Sequence, residues 1–315
     1  MLSTYNGGRY LRELLDSVLC QSFTNWRLLV RDDGSQDETL KILDEYLHKH
    51  PDRISLLPND AKRLGPSQSF GKLMELSRSP YVMFCDQDDV WLKEKISVTL
   101  DKMLELEKQY GPDLPMLVHT DSSLVDKDLN LIARSTHGFM RINPHLATHF
   151  RNLILHNVII GNTVLLNKRL VQLSIPIPSD AIMHDWWAGI IAAALGRIGY
   201  VADPTILYRK HEHNTCGLRQ RVGEYLFNMP KYLKKYYMLQ ERVVGQMKAF
   251  YERFGISLVP KEGLTDKEIL LVSNLIQPDQ ALSRKRKVSL LKYYKDCPYP
   301  LRTILDLFVF YKIYK

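Results

Sequence analysis

The sequence of 315 residues has little cysteine and no long apolar run. Its four cysteines, Cys20, Cys85, Cys216 and Cys297, lie far apart without paired spacing. Neither a disulfide framework nor a zinc knuckle is expected, which favours a reducing compartment. No apolar run reaches the ~18 residues that a membrane span needs, and the first residues lack the pattern of a signal peptide. We therefore expect a cytoplasmic globular protein.

Positive charge is concentrated at the C-terminal end. Residues 221–315 carry 18 Lys and Arg against nine Asp and Glu, whereas residues 1–220 carry 25 against 26. The cluster Arg284–Lys287 and the apolar stretch 301–312 are typical of a helix that lies on the inner face of a membrane. Packing onto the rest of the protein, or across a homo-oligomer, is an equally good interpretation. No interleaved aromatic and glycine motif of an RNA-binding sheet is found, so no nucleic-acid partner is expected.

Helices and strands alternate in the N-terminal third. Periodic apolar residues predict a helix over 10–20. Ser35 and Glu38 have the spacing of a capping box for a second helix. Further elements are predicted at 26–31 (strand), 54–57 (strand), 67–77 (helix) and 81–85 (strand). This order predicts an α/β protein with a mostly parallel sheet and helices on both faces.

The rest of the chain is less regular. Strands are predicted at 116–120, 158–166 and 198–208, a helix at 186–196, and a polar loop with short helices at 134–152. From about residue 222 the apolar spacing is helical. We therefore expect a catalytic domain over 1–220, with a nucleotide-sugar-binding part to about 115 and an acceptor-binding part from about 116. A basic helical extension over 221–315 would follow it.

Two acidic clusters follow predicted strands, where open α/β sheets bind their ligands. Asp86-Gln87-Asp88 comes after five apolar residues and precedes Val90-Trp91, which argues against a solvated surface turn. Carboxylates in this pattern hold a hard cation, Mn²⁺ or Mg²⁺, whose shell is completed by diphosphate oxygens and water. The pair Asp32 and Asp33 would cap a helix, or one of the two would accept the imide N–H of uracil or thymine.

Two further segments contain candidate catalytic or ligand-binding residues that could act together with these clusters. Asp185 lies beside Trp186 and could deprotonate an acceptor hydroxyl as a general base, with the tryptophan against a sugar ring. Taken alone, a helix-capping Asp with core tryptophans is the better interpretation. After the last predicted strand, Arg209 could meet phosphate and His211 could supply a neutral imidazole to the metal. A basic surface loop is the alternative for that segment.

The motifs together resemble glycosyltransferase family 2, in its bacterial rhamnosyltransferase-like branch. The resemblance extends over residues 1–220 and depends on the order of the motifs. They are Thr4-Tyr5-Asn6-Gly7, Gln21-Ser22-Phe23, Trp26 with Asp32-Asp33-Gly34-Ser35, Phe84 with Asp86-Gln87-Asp88-Asp89-Val90-Trp91, His184-Asp185-Trp186-Trp187, and Tyr208-Arg209 with His211, Asn214 and Gly217. Only Met1-Leu2-Ser3 precede the first motif, so the first strand is expected to be unusually short or the start truncated.

The resemblance implies the GT-A fold, a nucleotide-sugar donor, Mn²⁺ or Mg²⁺, and inversion at the anomeric carbon. By resemblance, Thr4, Tyr5 and Asn6 would line the nucleotide pocket, Asp32 would contact the base with Asp33 nearby, and Asp86 would face the ribose. Gln87, Arg209 and Trp186 would also contact the nucleotide sugar. Asp88 and His211 would bind the metal, and Asp185 would be the general base.

These observations predict an inverting, metal-dependent hexosyltransferase. The expected reaction moves L-rhamnose from dTDP-rhamnose onto a growing cell-surface polysaccharide, with an oligosaccharide or lipid-linked saccharide as the acceptor. Two alternatives remain open at this point. One is the same chemistry with a UDP-hexose, and the other is a nucleotide-sugar-binding protein with impaired catalysis.

Overall fold

A computed structural model describes residues 1–58, 63–212 and 229–255. The strands are β1 (Leu2–Thr4), β2 (Leu28–Asp32), β3 (Ile54–Leu56), β4 (Tyr81–Met83), β5 (Val90–Trp91), β6 (Met116–Val125), β7 (Leu131–Ala133), β8 (Leu165–Asn167) and β9 (Arg197–Arg209). The helices are α1 (Leu11–Leu19), α2 (Thr39–Lys49), α3 (Gly65–Leu76), α4 (Lys95–Tyr110), α5 (Thr136–Met140), α6 (Phe150–Leu155), α7 (Lys168–Ser174), α8 (His184–Leu195) and α9 (Met229–Phe254). Short 3₁₀ helices lie at Pro144–Thr148 and Gly161–Thr163.

The strands form a mixed sheet. One part has the order β3-β2-β1 and the other the order β4-β8-β6-β9-β5, with β7 paired to β6. Leu2 and Cys85 form a parallel bridge that joins the two parts beside β1. Pairing is parallel among β1, β2 and β3 and between β6 and β9. The remaining pairs are antiparallel, because β8 inserts between β4 and β6 and runs against both, and β5 runs against β9. The expected parallel pairing is therefore present in β1–β3 and in the long β6–β9 pair, whereas the other pairs of the sheet are antiparallel.

Helices cover both faces of the sheet, as expected. On one face Leu14 of α1 and Leu43 of α2 pack against Val30 of β2, all fully buried. On the other face Leu73 of α3 and Trp187 of α8 belong to a larger core with strands β4, β6 and β8. The two apolar layers fix the sheet in register, so that the carboxyl ends of β1, β2 and β4 meet at one edge.

Helix α9 belongs to the same core as the sheet. Its residues Val243, Met247, Phe250 and Phe254 are buried against α6 and α8. Helical structure in this part of the C-terminal region is thus confirmed for 229–254. The basic cluster at 284–287 and the apolar stretch 301–312 lie outside the described residues. In the part of the chain that the structure describes, no helix combines the length and apolarity needed to cross a membrane.

The predicted capping box at Ser35 and Glu38 is wrong. Helix α2 begins at Thr39, and its first N–H groups are met by Asp37, whose Oδ1 accepts from the Thr39 N–H at 3.0 Å. The Ser35 hydroxyl instead donates to Asp32 at 2.5 Å. Ser35 is drawn into the turn after β2 because that turn closes around the Asp32 carboxylate. The first strand, β1, is formed by three residues.

Candidate active site

The carboxyl end of β1 leads into a loop, Thr4–Gly8, that lies beside the turn after β2. The Thr4 hydroxyl donates to Asp32 Oδ1 at 2.8 Å. The Asn6 side chain accepts from the Gln36 N–H at 2.8 Å, and its own φ of 48° lies in the left-handed region that asparagine tolerates. The loop, hereafter the nucleotide loop, is therefore fixed by side chains on both sides. The nucleotide contacts expected of Thr4, Tyr5 and Asn6 stay predictions.

Asp32 and Asp33 organise the structure around this loop. Besides Thr4 and the Ser35 hydroxyl, Asp32 accepts the N–H groups of Gly34 and Ser35 at 3.0 and 2.8 Å. Its acceptor positions are thus occupied. The contact of Asp32 with the nucleotide's pyrimidine base stays a prediction. To form it, Asp32 would have to replace one of these hydrogen bonds with a bond to the pyrimidine.

Asp33 binds the start of helix α3 and a buried arginine. It accepts from the N–H groups of Leu64 and Gly65 at 2.7 and 2.8 Å and from Arg31 Nη1 at 2.6 Å. Burial acts to raise its pKa, but these bonds together hold the pKa of Asp33 below its ordinary value. The carboxylate thereby anchors the segment that carries Arg63, whose guanidinium lies 3.9 Å from the centre of the Tyr5 ring.

Three carboxylates share the site beyond β4. Asp86 is half-buried, and burial, then the charge of Asp88, then that of Asp185 raise its pKa to about 7. Burial, followed by the charges of Asp88 and Asp86, also raises the pKa of Asp89 well above its ordinary value. The acidic turn Asp86–Asp89 therefore contains more negative charge than its surroundings compensate. A bound cation would relieve that excess.

His211 contacts this turn, and its role as a metal ligand stays a prediction. Its Nε2 lies 2.7 Å from Asp88 Oδ2, and its ring stacks on Tyr10 with the centroids 5.3 Å apart. Among the described residues, no three His, Cys, Asp or Glu side chains are arranged to hold a metal ion. One carboxylate and one imidazole nevertheless fit Mn²⁺ or Mg²⁺, provided that diphosphate oxygens and water supply the other ligands. Asn214 and Gly217, which continue the motif, lie outside the described residues.

The prediction that Arg209 meets phosphate is corrected by its burial. The side chain is 1% exposed, and its donors are directed to Asp88 O at 2.8 Å, Lys127 O at 2.6 Å and Glu13 Oε2 at 2.5 Å. Its own backbone N–H binds Asp89 Oδ1 at 2.9 Å. Arg209 therefore holds the acidic turn in place through hydrogen bonds to Asp88 and Asp89. The donors named here are directed to acceptors of the protein itself.

Asp185 lies in the first turn of α8, close to the acidic turn. Its Oδ2 accepts from Asn157 Nδ2 at 3.1 Å, and its Oδ1 from the Trp186 N–H at 2.8 Å. Burial raises the pKa of Asp185 to about 6, and these hydrogen bonds limit the rise. A carboxylate with a pKa near neutrality is suited to take a proton from a hydroxyl group. A Cβ on Gly161 would lie 3.1 Å from Oδ2, so glycine leaves this oxygen room.

Trp186 is not a sugar-stacking residue, contrary to the prediction. It is 4% exposed, and its indole N–H donates to the Leu153 carbonyl at 2.6 Å. Trp187 is fully buried and donates to the Ser174 carbonyl at 2.9 Å. His184 is stacked on Phe70 with the centroids 4.1 Å apart, and burial lowers its pKa to about 3. These rings form the core that orients the N-terminus of α8.

Both polar atoms of the Gln87 side chain bind the backbone of Tyr5. Its Oε1 accepts from the Tyr5 N–H at 2.9 Å, and its Nε2 donates to the Tyr5 carbonyl at 3.0 Å. The prediction that Gln87 binds the nucleotide sugar directly is therefore corrected, because both ends of its amide are occupied by backbone.

Several supporting residues were missed by sequence reasoning. Asn157 holds Asp185, and Asn162 donates to Asp89 while its Oδ1 has no partner. Glu13 and Arg63 are also at the site. Asp89 was visible in the motif, but the two asparagines gave no signal, since they reach the site only through the packing of the segment before β8.

Known proteins with similar sequences are glycosyltransferases. A model of the family described as Glycosyl transferase family 2 matches residues 1–113. The dTDP-rhamnosyl transferase RfbG of Shigella flexneri is 28% identical over 229 residues, which cover 69% of this chain and 73% of that protein.

Two solved structures have a similar fold. TarS of S. aureus in complex with UDP-GlcNAc has a TM-score of 0.55 at 16% identity, over 99% of this chain and 89% of that chain. The mannosyltransferase PcManGT of Pyrobaculum calidifontis, in complex with GDP-Man and Mn²⁺, has a TM-score of 0.52 at 14% identity, over 100% and 79%. At these identities the likeness establishes the GT-A fold alone.

Proposed function

We propose that this chain, whose residues 1–113 match the model of Glycosyl transferase family 2, is a glycosyltransferase that transfers L-rhamnose from dTDP-rhamnose with inversion. The acceptor is a hydroxyl group of a growing surface polysaccharide. The observation that supports this most directly is the meeting of Asp88, His211 and Asp86 with Asp185 at one sheet edge. That edge is where a nucleotide diphosphate and a sugar acceptor would have to meet.

In this proposal the donor nucleotide lies along the nucleotide loop. Thr4, Tyr5 and Asn6 line it, and the Tyr5 ring with Arg63 offers a flat surface for a pyrimidine. The diphosphate lies at Asp88 and His211. A divalent cation there would neutralise the charge that develops on the departing diphosphate. Asp86, which precedes Gln87 and Asp88 in the acidic turn, contacts the ribose in this proposal.

Asp185 performs the proton transfer. Its carboxylate takes the proton of the acceptor hydroxyl while that oxygen forms a bond to the anomeric carbon, and the bond from that carbon to the diphosphate oxygen breaks. Attack from the side opposite the leaving group inverts the configuration. The burial that raises the pKa of Asp185 to about 6 makes it a stronger base than an exposed aspartate. Asn157 fixes its orientation.

The choice of dTDP-rhamnose is supported by the name of the Shigella relative. A UDP-hexose donor is the second candidate, because TarS of similar fold binds UDP-GlcNAc. Both donors present a pyrimidine with the same imide edge, so the nucleotide loop alone does not separate them. Discrimination would then depend on contacts with the sugar.

The test is a panel of nucleotide sugars incubated with the purified chain and Mn²⁺, read as release of nucleoside diphosphate. The proposal expects turnover with dTDP-rhamnose, stimulated by an oligosaccharide acceptor. Turnover confined to UDP-sugars would replace the donor assignment. Tight binding of donors without turnover, in the presence of varied acceptors, would contradict the catalytic proposal.

A further inference from the structure

We propose that Gln87 is a positioning residue that locks the nucleotide loop to the acidic turn, so that base and diphosphate are bound by one rigid unit. This inference rests on the proposed function, in which these two segments bind the two ends of the donor. It assigns to Gln87 neither a metal nor a substrate contact.

The geometry of the amide carries the inference. Gln87 comes between Asp86 and Asp88, and its side chain returns to the backbone of Tyr5, 82 residues earlier. Its oxygen accepts from the Tyr5 N–H at 2.9 Å, and its nitrogen donates to the Tyr5 carbonyl at 3.0 Å. Strand pairing between these segments ends at the bridge of Leu2 with Cys85. The amide of Gln87 continues that pairing, because it presents one donor and one acceptor as a peptide group does.

The Gln87 side chain also packs closely against Gly7 of the nucleotide loop. A Cβ on Gly7 would lie 2.2 Å from Gln87 Oε1 and 2.4 Å from its Cδ, which no side chain can accept without moving. The loop is held here a second time, since the Gly7 N–H donates to Thr39 Oγ1 at 2.9 Å. Gln87 therefore fills the space that glycine leaves, and neither residue can change without disturbing the other.

The side chain at this position is chemically constrained. A leucine has similar bulk but neither hydrogen-bonding group. A glutamate could keep the bond from the Tyr5 N–H but would place a second acceptor against the Tyr5 carbonyl. It would also add a charge between Asp86 and Asp88, where burial and then the charge of Asp88 already raise the pKa of Asp86.

The experiment compares two ligands that differ only in whether they reach the nucleotide loop. Binding of dTDP or UDP with Mn²⁺, and of pyrophosphate with Mn²⁺, is measured by calorimetry for the wild-type chain and for Gln87→Leu. Loss of two hydrogen bonds should weaken nucleoside diphosphate binding on the order of 10-fold. Pyrophosphate binding should stay within about 2-fold, because it needs only the acidic turn. The control is Gln68→Leu in helix α3, where the glutamine amide donates to the carbonyls of Ile177 and Pro178 at 3.3 and 3.2 Å.

A second set of variants tests the contact itself. Gly7→Ala should reproduce the selective loss, because the new methyl group displaces Gln87. Gly7→Ala combined with Gln87→Ala should bind no worse than Gln87→Ala alone, since the shorter side chain makes room. Additive losses in the double variant, equal weakening of both ligands, or unchanged binding by Gln87→Leu would each overturn the role of Gln87. Failure of the wild-type chain to bind any nucleoside diphosphate would instead overturn the proposed function.

Discussion

Asp88 and His211 are separated by 123 residues in the chain, yet His211 Nε2 lies 2.7 Å from Asp88 Oδ2. The contact joins the turn after β4 to the end of β9, two elements that the sheet brings together through β5. In the proposed function, a carboxylate and an imidazole at this spacing would supply two ligands to a divalent cation, and the diphosphate would supply others.

We expect Asp88→Asn to lower Mn²⁺-dependent turnover by about 10²-fold or more, because a neutral amide is a weaker ligand for a hard cation. His211→Ala should lower it too and raise the Mn²⁺ concentration needed for half-maximal rate. The measurement is initial rate against Mn²⁺ concentration. Asp128→Asn, at an exposed carboxylate of the turn after β6, serves as the matched control. Normal Mn²⁺ dependence in the Asp88 variant would remove the metal assignment.

Asp185 gives an expectation about pH. Its base form exists above its pKa of about 6, so the rate at saturating donor should fall as pH decreases through that region. A cation bound nearby would favour the carboxylate and move the fall to lower pH. Asp185→Asn should cut the rate on the order of 10²-fold with donor affinity nearly unchanged. The test is a profile of kcat against pH for both proteins.

If the Asp185→Asn variant binds the donor much more weakly but keeps the wild-type kcat at saturating donor, Asp185 is a binding residue. A variant that retains the acid limb of the wild-type profile would likewise assign that limb to another group. Asn157→Ala offers a weaker version of the same test, since it leaves the carboxylate in place but removes the bond to Oδ2.

The positions of the acidic clusters could be predicted because strand order determines which chain segments meet at a sheet edge. Asp86 and Asp88 needed only that rule and the motif pattern, whereas Asp185 was assigned by the family resemblance. The same reasoning misassigned Arg209 and Trp186. The type of a polar or aromatic residue beside a site does not show whether its side chain points toward the ligand or into the protein. Their burial depends on contacts with Lys127 and Leu153 that no local pattern reveals.

The sheet was predicted in part for a similar reason. Alternating strands and helices identify the parallel units at β1, β2 and β3. The antiparallel insertion of β8 between β4 and β6 is a long-range pairing, and the sequence of β8 does not specify its neighbours. The turn chemistry at Asp32 was visible, but its four hydrogen bonds were not, since they join side chains to backbone groups whose directions depend on the folded turn.

Replacing Arg209 tests its structural role. Arg209→Ala removes the buried guanidinium and leaves the Glu13 carboxylate and the Asp88 and Lys127 carbonyls without their donor. We expect a loss of roughly 3 kcal/mol in the free energy of unfolding. Urea denaturation measures it, with the exposed Arg134→Ala as the control. Full stability with weaker binding of diphosphate would show instead that the guanidinium serves the ligand.

The basic C-terminal region is expected to bind anionic lipid. Residues 284–287 carry four consecutive positive charges, and the stretch 301–312 is mostly apolar. Each Lys or Arg near an anionic leaflet contributes about 1 kcal/mol, and that attraction is screened by salt. We therefore expect the full chain to co-sediment with vesicles containing anionic lipid at low salt, and to be released at high salt.

Deletion of 284–315 should abolish that binding and spare donor hydrolysis, because helix α9 and its packing against the core lie before the deletion. Vesicles of zwitterionic lipid alone are the control for apolar adsorption. The chain should ignore them at both salt concentrations if the basic cluster drives the contact. If the full chain does not bind anionic vesicles, or if the deletion unfolds the protein as judged by circular dichroism, the region has a structural role. The residues of 301–312 would then pack on the protein or on a second copy of it, as an apolar segment without a lipid partner must.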